Sequence, residues 1–292
     1  METRWLYRTS ENLAELRDAS KGVCVIPMGC VEKHGLHLPL GQDIIQASHL
    51  AWMASQLETV CVFPDYIFGD VPGKSPTMPL GSITLSLDLE IALLEELCES
   101  ISRAGFKKIV VFNGHGGNKP WLSTFLRIMS AKKRDFVVVV IDIGLPAPHE
   151  MAKEIEKNGR NAIPELTEED VDLILKYHEQ DMKIGHACMG ETAYMMGISP
   201  EHVHLDRLGI ESGLSAHKTD YLLKAGILMS NAGWDIDYAN AFSGDDPIGC
   251  NERIGKAALR MEAERVSKAF KVLKEDENLL RWLEEYQLGW ND

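Results

Sequence analysis

The chain has 292 residues, 45% of them hydrophobic, with 12 prolines and no low-complexity tract, enough to bury a large core in one domain spanning 1–292. Its formal net charge of −14, from 44 acidic against 30 basic residues, argues against nucleic acid or an anionic membrane as the main partner. The start, METRWLYRTSENLAEL, lacks a basic segment followed by an apolar one, and no apolar run approaches the roughly 20 residues that span a bilayer, so a cytoplasmic protein is expected.

The first strand is predicted in GVCVIPMG (22–29), followed by a helix in DIIQASHLAWMASQL (43–57). Further strands are predicted in TVCVFPDYIFG (59–69), KKIVVFNG (107–114) and DFVVVVIDIG (135–144), each rich in β-branched residues and able to be a central strand. Between them lie helical patterns at 88–105, which closes on Gly105, and at 119–133. Alternating strand and helix implies an α/β, doubly wound, mostly parallel sheet.

The second half is less regular. Residues 145–185 read as a loop containing Pro and Gly, then an acidic amphipathic helix at 167–180, together an excursion on the same domain that forms a wall of the site or a subunit contact. GHACMGETAYMMG (185–197) and WDIDYANAFSGDDPIG follow, and a long final helix at 251–286 is expected to break near Lys274. The six cysteines, Cys24, Cys30, Cys61, Cys98, Cys188 and Cys250, show no CxxC spacing, which fits reduced thiols better than disulfides or a cysteine zinc site.

Chemistry concentrates where strands end. GCVEKHGLHLPLGQD (29–43) follows the first strand, and FNGHGGN (112–118) closes the third, so both face the crevice at the carboxyl edge of an open sheet. Glu32 and His34, two apart, project to one side of an extended segment, and Asp43 at the start of the next helix turns back over the same crevice. With His115 they form an oxygen and nitrogen set suited to Zn²⁺, Mn²⁺ or Fe²⁺, and a shared Asp can bridge two ions.

Each residue also has an ordinary reading: Asp43 as a helix N-cap, His37 as a packed or supporting histidine, and His115 within a glycine anion nest. A phosphate-binding module is the rival, yet NGHGGN matches neither GxxxxGK[ST] nor GxGxxG, and Lys119 only follows it. The remaining histidines, His49, His149, His178, His202, His204 and His217, read as surface or structural.

IPMGCVEKHGLHLPLGQD, FNGHGGN, GHACMGETA and FSGDDPIGCNERIG occur in the order and approximate spacing of the creatininase (creatinine amidohydrolase) family, which the chain resembles over roughly residues 20 to 260. The resemblance implies a three-layer αβα sandwich, two divalent ions (zinc or manganese ahead of iron), hydrolysis of small amides, and a homo-oligomer, often a hexamer. By the same resemblance Glu32, His34, Asp43 (bridging) and His115 are metal ligands, and His186 and Glu191 match the family's later His and Glu.

The chain departs from creatininase at one ligand, since the corresponding turn there reads like NGHYEN, and Gly117 stands here in place of the glutamate. That departure argues against creatinine as the substrate. Other branches with NGHGGN cleave formamides, trim a peptide during mycofactocin maturation, or open keto-inositol rings. The expected mechanism is metal-activated water attacking a C–N carbonyl, with Glu191 as the compensating ligand or base and His186 protonating the leaving nitrogen or steadying the oxyanion. Ser82 and Thr84, in the segment FGDVPGKSPTMPLGSITL (68–85), and Asn113 and Gly116 are the candidate contacts to a small-molecule substrate. The alternatives are ring opening of a cyclic ketone such as a keto-inositol, or a non-catalytic metal- or phosphate-binding protein.

Overall fold

The β-branched runs form the spine of a four-stranded, all-parallel sheet in the order β2-β1-β3-β4. A computed structural model describes residues 1–71, 80–229 and 232–287; Lys74, within the 68–85 segment expected to touch substrate, and Trp290, beyond the expected final helix, lie outside them. The elements run α1 (Leu13–Ala19), β1 (Val23–Met28), α2 (Gln42–Leu57), β2 (Cys61–Val62), α3 (Leu87–Arg103), β3 (Lys108–Asn113), α4 (Lys119–Ser130), β4 (Val137–Asp142), α5 (His149–Asn158), α6 (Glu168–Glu179), α7 (Met189–Ile198), α8 (Asp220–Lys224), α9 (Ala232–Asp237), α10 (Glu252–Glu275) and α11 (Leu279–Gln287).

Helices cover both faces of the sheet, giving three layers. Val23, Val25, Val110 and Phe112 pack in one core with residues of α2, α5, α6, α7 and α10. Cys24, Ile26, Met28, Ile109 and Val111 pack in the other with residues of α1, α3 and α4. Every residue of β1 and β3 is buried, which is why those strands read as unbroken apolar runs, whereas β4 at the edge is only half-buried.

Three expectations need correction. The run 59–69 keeps only Cys61–Val62 as ladder strand. The Phe63 N–H bonds the Val25 carbonyl and the Tyr66 N–H the Pro27 carbonyl, three residues against two, so an extra residue at Pro64–Asp65 bulges the run out of the ladder. Neither β2 nor β4 is central: each stands at an end of the four-strand order, and β2 carries only an isolated bridge from Val62 to Arg4 on its far side. Residues 149–158, expected as loop, form α5, because Pro148 stands at the N-cap position, outside the helix, where a missing N–H costs no hydrogen bond. Met151, Ala152 and Ile155 of that helix are buried in the first core.

The long final helix does break, ending at Glu275 with Asp276 as its C-cap before α11 begins. No helix among the described residues is long and apolar enough to cross a membrane.

The sheet order fixes where a ligand can bind. From β1 the chain crosses to β2 on one side, then returns to β3 on the other, so the connections that leave β1 and β3 diverge at the strands' carboxyl ends. Two glycines let α2 close on that fork. A Cβ on Gly29 would fall 2.4 Å from the Ile44 nitrogen, and one on Gly114 2.7 Å from the Asp43 carbonyl oxygen. With hydrogen at both positions, Asp43 settles between the two strand ends.

Candidate metal centre

Asp43 is not the N-cap of α2. That position belongs to Gly41, which makes no side-chain cap, and the Asp43 carboxylate turns into the crevice, 1% exposed. Its Oδ1 lies 3.2 Å from His34 Nε2 and its Oδ2 2.8 Å from His115 Nδ1. One carboxylate thus offers each of its oxygens to a different imidazole.

Each of the site's three imidazoles is held by a backbone carbonyl on its far side. His34 Nδ1 is 3.2 Å from the Glu32 carbonyl, His115 Nε2 2.9 Å from that of Asp70, and His186 Nε2 2.7 Å from that of Lys33. A carbonyl only accepts, so those nitrogens donate, and the opposite nitrogen of each ring faces the carboxylates. His115 Nδ1 lies 3.1 Å from Glu32 Oε1, His186 Nδ1 3.6 Å from the same oxygen, and His34 Nε2 3.8 Å from Glu191 Oε2. Lone pairs and anionic oxygens therefore converge on one another, and Glu32 Oε1 is buried without a hydrogen-bond partner. Only protons or cations reconcile such a set.

The electrostatics say the same. Burial works to raise the Glu32 carboxyl, but His115 and His186 outweigh it and bring it to about 2. Burial likewise opposes ionisation of Asp43, and His34 and His115 hold it below the usual carboxylate range. Burial lowers His34, yet Asp43 carries it up to about 9. His115 rises well above the ordinary imidazole value against burial, through Cys30, Glu32 and Asp43. The carboxylates thus draw positive charge to the two rings that face them, the charge that bound cations would supply.

Three overlapping ligand groups result: Cys30, Glu32, Asp43 and His115; Glu32, His34 and His186; and His34, Asp43 and Glu191. The hard oxygens with borderline nitrogens fit Zn²⁺ or Mn²⁺, and Asp43 is common to the first and third groups. Glu191 stands in the first turn of α7, and its Oε2 also accepts the Ala187 N–H at 2.5 Å. Burial lifts its carboxyl to about 7, with Asp43 and Glu32 adding to the rise against His34. His186, stacked on His34 at 3.9 Å, is pushed down to about 4 by burial and by that ring.

The structure brings all six sequence-predicted metal and catalytic residues together, and the cavity in front of them, about 440 Å³, is also lined by Asn113 and Gly116. Asn113 has little left to offer a ligand: its Nδ2 donates to Asp142, and its Oδ1 accepts from the His115 N–H and Asn118. Ser82 and Thr84 are not among the described lining residues. Ser82 Oγ is buried without a partner, and Thr84 Oγ1 donates to the Leu85 carbonyl.

His37 is a packed supporting residue, 2% exposed, within reach of the Ala187 carbonyl at 3.0 Å and Thr192 Oγ1 at 3.2 Å. Sequence reasoning missed Cys30, whose thiol is 3.1 Å from Asp43 Oδ2, although it shares the alternation of Glu32 and His34. It also missed Gln46, Ser243 and Trp234, which line the cavity; nothing in the sequence singles out Trp234.

The creatininase profile, described as creatinine amidohydrolase, matches residues 7–270. A 3-dehydro-scyllo-inosose hydrolase of Thermotoga maritima is 27% identical over 114 residues, which is 38% of this chain and 36% of that protein, so about a third of the relative's length is matched. A manganese form of creatininase superposes with a TM-score of 0.68 at 18% identity, covering 94% of this chain and 100% of that one. A glutamate-to-glutamine variant of creatininase in a Zn-Zn form does so at 0.68 and 16% identity, with the same coverage. At those identities the solved structures establish the fold: an α/β sandwich around a parallel sheet.

Proposed function

The chain belongs to the creatininase family, and from that premise we propose that it is a single-domain, metal-dependent hydrolase that cleaves a C–N bond of an amide, lactam or formamide in a small molecule. The observation that carries this reading is Asp43, whose two oxygens face two differently held imidazoles beside a buried, unpartnered Glu32 oxygen. Glu32, Asp43 and His115 would hold one divalent ion and His34, Asp43 and Glu191 a second, zinc or manganese in each case, with iron the third choice. Such ions supply Lewis acidity, which polarises a carbonyl and acidifies water.

The protein's own part is positioning and proton transfer. His186 is neutral, carries its proton on Nε2 and aims Nδ1 into the cavity, so it can take a proton from the attacking water and return it to the leaving nitrogen. Glu191, its carboxyl raised by burial to about 7, would serve as the base where it does not act as a ligand. Gly116 leaves the cavity wall open for the substrate.

A second reading, ring opening of a cyclic ketone, is favoured by the name of the Thermotoga relative. One experiment separates the two. The zinc- or manganese-loaded protein is assayed against formamides, lactams, cyclic ureides and cyclic ketones, and turnover of a C–N substrate that chelation abolishes is expected. Turnover of cyclic ketones alone selects the second reading. No turnover by protein with full metal content overturns both.

We also propose a closed homo-oligomer, a hexamer by family resemblance. Support comes from exposed apolar side chains concentrated in one stretch, among them Ile210, Leu214, Tyr221, Leu223 and Leu228. Light scattering that returns 32.6 kDa would overturn it. A reducing compartment, the cytoplasm, is supported by six buried cysteines that are all free thiols.

A further inference from the structure

The GHGG turn after β3 holds three glycines, and they are glycine for different reasons. A Cβ on Gly114 would crowd the Asp43 carbonyl at 2.7 Å, and one on Gly117 would fall 2.4 Å from His115 Nε2. Packing alone excludes side chains at both. Gly116 is under no such constraint: its φ lies outside the left-handed region, and a Cβ would meet nothing within 4 Å. Glycine is also the residue that loses most freedom on folding, so stability alone would favour alanine here. Gly116 also lines the cavity of about 440 Å³ together with His115, His186 and Glu191.

Two further lining groups say what that space would hold. Trp234 presents an indole from α9, edge-on to the His186 ring at 5.4 Å. Lys119, three residues past Gly116, is the only Lys or Arg among the described lining residues. Its ammonium forms an exposed ion pair with Asp142 Oδ2 at 3.6 Å, longer than a hydrogen bond, so a ligand carboxylate can compete for its N–H donors.

We propose that Gly116 sets the size and Lys119 the charge of the substrate: the cavity takes a carbonyl compound with a ring-sized body over Gly116 and an anionic substituent at the Lys119 ammonium. The inference rests on reading this cavity as the hydrolase site. A side chain at 116 would fill the volume a ring needs, and a carboxylate beyond the ring would gain a charge-assisted hydrogen bond.

The test uses calorimetric titration of the zinc-loaded protein with acetohydroxamate, benzohydroxamate and 4-carboxybenzohydroxamate. The carboxylated ring is expected to bind tightest. Gly116→Leu should lower the ratio of benzohydroxamate to acetohydroxamate affinity by roughly tenfold or more. Gly116→Ala, which the geometry accommodates, should lower it less and serves if the leucine variant fails to fold. Lys119→Gln should lower the preference for the carboxylated over the plain ring by about tenfold, the worth of one charge-assisted hydrogen bond. Metal content and thermal midpoint, measured on every variant, report whether the fold is kept. An unchanged ratio in a folded Gly116 variant, or in Lys119→Gln, overturns the proposal. A wild type that binds acetohydroxamate but neither ring also overturns it and leaves the metal site standing, whereas a protein that takes up no zinc overturns the hydrolase reading and this inference with it.

Discussion

His186 Nε2 lies 2.7 Å from the carbonyl oxygen of Lys33, a hydrogen bond that commits the ring proton to Nε2 and leaves the Nδ1 lone pair turned towards Glu32. The same ring stacks on His34, so two contacts fix its orientation. Because the Glu32, Asp43, His115 and His34, Asp43, Glu191 sets are complete without it, His186→Ala is expected to keep both ions. Turnover should fall by about 10²–10⁴, the usual worth of a general acid or base. Elemental analysis alongside kcat checks this: loss of one ion would make His186 a ligand, and normal turnover would remove it from the chemistry.

The two acidic ligands of the third group should behave differently. Asp43→Asn withdraws an anion from both ligand sets at once and is expected to lose both ions. Glu191→Gln affects one set only, and the amide oxygen still accepts the Ala187 N–H, so the start of α7 should survive while one ion is lost. Metal stoichiometry after dialysis measures the difference. If Glu191→Gln keeps two tight ions and near-normal turnover, Glu191 is only a carboxylate at a helix start.

Why the metal cluster could be read from sequence, and parts of the fold could not, follows from the range of the interactions. Glu32, His34 and Asp43 lie within one strand-to-helix connection, and His115 ends a strand paired directly with the first, so chain order brings them together. Ser82 and Thr84 depended on how a loop folds against distant residues, and Ile83 instead bonds back to Val31. The helix α5 was hidden by Pro148 and Gly159, which mark its ends rather than a loop. Shortening of β2 needed the knowledge that its run carries one residue more than β1 between the Phe63–Val25 and Tyr66–Pro27 bonds, a tertiary fact.

Glu90 on α3 is fully buried, and neither of its carboxylate oxygens has a hydrogen-bond partner among the described residues. Burial, with Asp70 adding to it, raises this carboxyl to about 7. For an acid raised above its unfolded value of about 4.3, folding is penalised as pH climbs from there, fully so above the folded value. Glu90→Gln should therefore stabilise the fold by about 1–3 kcal/mol at pH 8, where it removes a buried charge, and by little at pH 4. Denaturant midpoints at the two pH values decide it; equal shifts would place the effect in packing.

Asp170 has the opposite sign. Burial works against its ionisation, but the Arg253 fork, the Thr167 N–H and the Asn251 amide hold its pKa below the ordinary range, tying α6 to the start of α10. A depressed carboxyl stabilises fully above its unfolded value of about 3.9, and that contribution is lost as pH falls towards the folded value. Asp170→Asn is expected to cost about 2–4 kcal/mol at pH 7 and progressively less below pH 4. Thermal unfolding across that window should show the two curves converging, and parallel curves would refute the assignment.

By the family resemblance Gly117 stands where the creatininase turn carries a ligand glutamate, yet the geometry does not let Gly117→Glu restore one. A Cβ on Gly117 would fall 2.4 Å from His115 Nε2 and 2.8 Å from the Asp70 carbonyl oxygen, the two atoms joined by the 2.9 Å hydrogen bond that orients the His115 ring. The ring is a rigid, buried group, so any side chain at 117 must break that bond or turn the ring. Losing the partner that orients a ligating histidine typically costs about 10–100-fold in metal affinity. Gly117→Ala is thus expected to weaken the ion shared by Glu32, Asp43 and His115 by that amount, and Gly117→Glu to weaken it at least as much despite the added carboxylate. Zinc titration in competition with a chromophoric chelator measures both, with Gly116→Ala as the control that adds the same methyl group where nothing stands within 4 Å. Wild-type affinity in Gly117→Ala would show that the Asp70 carbonyl does not position His115, and tighter binding in Gly117→Glu would show that the turn can accept the ligand it lacks.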